Sequence, residues 1–71
     1  MYLVLEIQKT GNQIATLIWP FESRNEADSK FYTVLAAAAI SSVPLHAAAL
    51  LTETGGCIKS ESYIHESEEL N

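Results

Sequence analysis

One stretch of this 71-residue chain, 21–42, has helical patterning, and it lies between two stretches that alternate as β-strands do. Ser23-Arg24-Asn25-Glu26 opens it with capping-box spacing. The Ser23 hydroxyl can accept from the Glu26 amide, and the Glu26 carboxylate can reach back to the Ser23 amide. Glu22, Glu26 and Asp28 add negative charge where the helix dipole favours it. Behind the cap, Ala27, Phe31, Val34, Leu35, Ala38 and Ser42 recur in steps of three and four, an apolar stripe with a period of about 3.6 residues. Arg24, Asp28 and Lys30 lie off that stripe, and the alanine run 36–39 keeps the helix thin enough for a sheet to come close. Pro44 ends the stretch by pushing Val43 toward extended geometry. A lone amphipathic helix must bury its stripe on something, and strands on both sides make that something a sheet.

The first strand pattern runs from Tyr2 to Lys9, with Leu3, Leu5 and Ile7 on one face and Val4, Glu6 and Gln8 on the other. Thr10-Gly11-Asn12-Gln13 is a turn, and 13–20 returns as a second strand. A two-residue II′ turn at Gly11-Asn12 pairs Leu5 with Ile18 and Ile7 with Thr16. It gives an expected helix-facing set of Leu3, Leu5, Ile7, Ile14 and Ile18, with Tyr2, Val4, Leu17 and Trp19 on the far face. A three-residue turn over 10–12 would exchange the faces of the second strand. Either register leaves large apolar side chains on a second sheet face.

After the helix, 45–53 reads as a third strand, Thr54-Gly55-Gly56-Cys57 as a turn and 58–65 as a fourth strand. Pairing across Gly55-Gly56 places Ala47, Ala49 and Leu51 with Ile58 and Ile64 on the expected helix side. Lys59, Glu61, Tyr63 and His65 fall on the other side. The fold class is therefore α+β, in the order ββαββ: a four-stranded, mainly antiparallel sheet with one helix on one face. Residues 1–65 form a single domain, and 66–71 is an acidic tail expected to fray.

Phe21-Glu22-Ser23-Arg24-Asn25-Glu26-Ala27, followed by Lys30-Phe31-Tyr32, resembles the helix start of small proteins encoded by bacterial phages and mobile elements. Those proteins run Phe-Glu-(Ser/Thr)-(Lys/Arg)-(Asp/Asn)-Glu-Ala into a short helix between two hairpins. The resemblance implies an origin in a phage or mobile element. It supplies no catalytic residues.

Composition narrows the function. A net charge of −5, with Lys9, Arg24, Lys30 and Lys59 scattered, offers no basic patch for phosphates, so nucleic acid is not an expected partner. The chain is 48 % hydrophobic and 18 % charged, rich in apolar residues for its size. A chain this short buries only about 60 % of its unfolded surface, so oligomerisation is a natural supplement. Cys57 is the single cysteine, which fits a reducing compartment, and Met1–Glu6 has no basic leader pattern; the expected location is cytoplasmic. The stretch 31–52 carries no formal charge and has the length of a membrane span. Ser41, Ser42, Pro44 and His46 in its middle, and the weak contribution of alanine to insertion, argue against one.

Candidate chemistry is sparse. Cys57 could act as a nucleophile with His46 or His65 as base, but only Lys59 is near in sequence to lower its pKa, and a turn-filling cysteine is the simpler reading. His46 and His65 fall opposite each other in the Gly55-Gly56 register. With Glu61 or Cys57 they form the alternative reading, a small metal- or ligand-binding protein. Two solvated histidines at the end of a sheet are the simpler reading. No enzyme activity and no cofactor are expected. The leading expectation is a small soluble interaction module that acts as a homodimer or on a larger protein partner. Its expected contact surface is Tyr2, Val4, Leu17 and Trp19, with Trp19 as anchor.

Overall fold

A computed structural model describes residues 1–65; the acidic tail falls outside them. The elements follow the order ββαββ: β1 (Tyr2–Thr10), β2 (Gln13–Phe21), α1 (Arg24–Ala39), β3 (Leu45–Thr52) and β4 (Cys57–Ile64). The strands form one sheet in the order β2-β1-β3-β4, with every neighbouring pair antiparallel. The α+β architecture expected from the sequence is present.

Each element has a local cause. Gly11 sits at φ 61°, the conformation a tight hairpin asks of its first loop residue, and the pairing is Leu5 with Ile18 and Ile7 with Thr16, the two-residue register. Ser23 is extended at φ −96°, ψ 133°, and its hydroxyl accepts from the Glu26 amide at 3.4 Å, so the Ser23 half of the expected capping box is made, while the Glu26 carboxylate makes no return bond to the Ser23 amide. The helix ends at Ala39, with Ile40 as its cap, before Pro44 could act; Ser42 lies beyond it. Ala27, Phe31, Val34 and Ala38 are buried, and Leu35 partly so.

The face on which the helix rests reverses the expectation. Val4, Ala48 and Leu50 form the core with the helix stripe, and Tyr2, Trp19, Phe21 and Ile58 pack around it. Leu3, Leu5, Ile7, Ile14 and Ile18 lie on the opposite face, and so do Ala47, Ala49, Leu51 and Ile64. The reason lies in connectivity. β2 and β3 both run antiparallel to β1 and hence parallel to each other, so α1 is a crossover between parallel strands of one sheet. Such crossovers are right-handed in about 98 % of cases. A two-residue loop makes Thr10 and Gln13 a hydrogen-bonded pair, and alternation then makes the even residues of β1 the ones bonded to β2. For L-residues in that arrangement, a right-handed crossover from β2 to β3 falls on the face carrying Tyr2, Val4 and Glu6. Chirality therefore overrides the greater apolarity of Leu3, Leu5 and Ile7.

The second hairpin also departs in register. Its loop spans 53–56, with the Thr52 amide donating to the Gly56 carbonyl at 2.8 Å, and a bulge lies between Leu50 and Leu51. Tyr63, rather than His65, stands opposite His46. The bulge turns Ile58 toward the core, while Lys59, Glu61 and Tyr63 pair with the helix-facing residues Leu50, Ala48 and His46. Among the described residues no helix is long and apolar enough to cross a membrane. The uncharged stretch 31–52 is divided between α1, a connection and β3.

Candidate interaction surface

The face away from the helix is built in four rows across the strands. Pro20, Leu3 and Leu51 form the first; Ile18, Leu5, Ala49 and Ser60 the second; Thr16, Ile7, Ala47 and Ser62 the third; Ile14, Lys9, Leu45 and Ile64 the fourth. Lys9 is the only charged residue in these rows, and it lies at the end of the sheet. Among the described residues no element covers this face. Ile14, Ile18 and Ile64 are 63 %, 59 % and 64 % exposed, and the central Leu5, Ile7, Ala47 and Ala49 are half-buried by their neighbours alone. Side-chain size is divided across the sheet. In the two middle rows β1 brings Leu5 and Ile7 and β2 brings Ile18 and Thr16, whereas β3 and β4 bring alanines and serines. The result is a ridge beside a depression of about 240 Å³ bordered by Ile7, Ala47, Ala49, Ser60 and Ser62.

The contact residues expected from the sequence sit on the helix side instead. Val4 is fully buried under the helix, and Tyr2 is half-buried with the Arg24 guanidinium 5.9 Å from its ring centre. Trp19 is half-buried beside the core, with the Lys30 ammonium 4.1 Å from its ring centre. Leu17 stays exposed at the outer edge of that face. The expectation that a second apolar face exists holds; its residues are those once assigned to the helix. Hydropathy marked both sets, and only the crossover handedness separates them.

The histidines are not assembled into a metal set. His46 is buried, and its Nε2 bonds the Glu6 carboxylate, which also accepts from the Gln8 amide nitrogen at 3.1 Å. His65 Nε2 donates to the Ala38 carbonyl at 2.8 Å near the end of the helix, and its ring stacks on Tyr63 with centroids 6.1 Å apart. Glu61 stands opposite Ala48. Among the described residues no group of three or more His, Cys, Asp or Glu could hold a metal. Two causes separate the trio from its expected geometry: the shifted register of β4 and the engagement of each imidazole by a protein acceptor.

The buried Glu6–His46 contact was not foreseen. Its signal was Glu6 itself, a carboxylate in the middle of an otherwise apolar strand. The pair lies between sheet and helix with His46 Nδ1 lacking a hydrogen-bond partner. A carboxylate and an imidazole in contact can move a proton; both are buried, and Cys57 lies exposed near the far hairpin. At the other rim of the helix, Lys59 donates to the Tyr32 hydroxyl at 2.9 Å and lies 3.6 Å from Asp28. That hydrogen bond, supported by Asp28, holds the half-buried Lys59 ammonium above the usual lysine range. These contacts fasten α1 to β4 on the helix side of the sheet. No family model, curated protein or solved structure matches the chain.

Proposed function

We propose that the protein is a small non-catalytic interaction module that works through its open sheet face. The observation carrying this reading is that face: leucine, isoleucine and alanine side chains from all four strands, one charge at its end, and no covering element among the described residues. Contiguous apolar surface beyond a few hundred Å² is rare on monomers and marks contact sites. The likeness of the Phe21–Ala27 segment to proteins of phages and mobile elements supports an origin there. A role inside the cytoplasm agrees with the free, exposed Cys57.

Sedimentation equilibrium at tens of micromolar tests the reading. The expected result is a wild-type mass above the monomer that Ile7→Glu returns to the monomer without loss of the circular-dichroism signal. A wild-type chain that stays monomeric and binds no apolar-surface dye contradicts it.

A further inference from the structure

The occupant of the open face, on the reading above, is a second copy of the chain, and the geometry points to one way of seating it. The two copies pack face to face about a two-fold axis that runs parallel to the strands. Three observations carry this inference.

The first is area. Four strands of eight or nine residues present a face of roughly 19 by 28 Å. Two such faces in contact remove roughly 1,000 Å² from water, which reaches the lower end of specific interfaces. The second is the division of size. A closed dimer requires the same patch to fit itself. The axis along the strands carries β1 of one copy over β3 of the other, and β2 over β4. Leu5 then meets Ala49 of the second copy, and Ile7 meets its Ala47. The aliphatic ridge of each copy enters the depression of the other, twice over by symmetry. The alternative axis, across the strands, sets Leu5 against Ile7 and Ala47 against Ala49. Large side chains would then hold the sheets apart and leave the alanines over a void, which forfeits the dispersion contacts that packing supplies.

The third is charge. The axis along the strands places Lys9 over Leu45 of the second copy, in the row at the end of the sheet. Its exposed stem can lie along the leucine while the ammonium stays in water. The axis across the strands sets Lys9 over Leu3, also in an end row, so the charge is accommodated by either axis and side-chain size chooses between them.

The arrangement is read by pairing charges across it. Ile18 and Ser60 share a row but sit on opposite edge strands, so they are distant within one copy and face each other between copies. Both are exposed, and charge there leaves the core intact. Ile18→Glu alone and Ser60→Lys alone should each weaken self-association at least tenfold. An equimolar mixture should associate about tenfold more tightly than either variant alone, because one glutamate then meets one lysine. Both side chains are long enough to meet across the angle of about 30° between packed sheets. Thr16→Lys mixed with Ser62→Glu repeats the test one row along should the first pair fold poorly. Association of the mixture no tighter than that of its components, with a dimeric wild type, overturns the axis and leaves the interaction reading standing. A monomeric wild type overturns the paired arrangement, and it overturns the interaction reading as well only if the chain also binds no apolar-surface dye.

Discussion

The Glu6–His46 contact is the least economical feature of the core at the scale of single residues. Burying two ionisable groups costs several kcal/mol each before their mutual contact is counted. The Gln8 amide helps one carboxylate oxygen, and His46 Nδ1 is left without a partner. Removing one member strands the other, so His46→Ala should lower stability by about 3–5 kcal/mol. Glu6→Leu combined with His46→Leu should cost far less, or even stabilise, because apolar side chains of similar volume need no counter-charge. Urea unfolding followed by circular dichroism compares the two. A single and a double variant of equal stability would contradict the assignment of the pair as mutually dependent. Trp19 belongs to the same scale. Packed beside the core under Lys30, it should cost roughly 2 kcal/mol on Trp19→Ala and leave the mass in solution unchanged. A loss of self-association at unchanged stability would return it to the contact surface first expected of it.

Local rules decide most at the scale of elements. Ser23→Ala removes the acceptor for the Glu26 amide and should cost about 1 kcal/mol, measured as a shift of the urea midpoint at constant slope. No shift would mean that the cap is made by water instead. This cap, the II′ turn at Gly11 and the apolar stripe of α1 were all legible in the chain, because each rests on residues a few positions apart. The first hairpin's register was legible for the same reason. The second was not: nothing in Thr54-Gly55-Gly56-Cys57 announced a four-residue loop and a bulge that moves Tyr63 opposite His46. The side chosen by α1 was misread because alternation shows that two faces differ and says nothing of which one the crossover reaches. Leu3, Leu5 and Ile7 are more apolar than Val4, Glu6 and Gln8, yet the latter set lies under the helix. The handedness of β2-α1-β3 would have reversed that choice, given the strand order.

For the molecule as a whole, the consequence is two apolar layers and one helix. The inner layer is closed by Ala27, Phe31, Val34 and Ala38; the outer one has no such cover among the described residues. Each large aliphatic side chain fully buried would add roughly 1.5–3 kcal/mol, so association through this face would enlarge the core of a chain that is short for independent stability. A dimer stabilised in this way should melt at a temperature that rises with protein concentration. The account's central claim is that the open face, and not the Trp19 side, is the contact surface. Sedimentation equilibrium of Ile7→Glu beside Trp19→Ala, both at tens of micromolar, tests it most directly. The account expects a monomer for Ile7→Glu and a dimer for Trp19→Ala; a dimer for Ile7→Glu with a monomer for Trp19→Ala would contradict it.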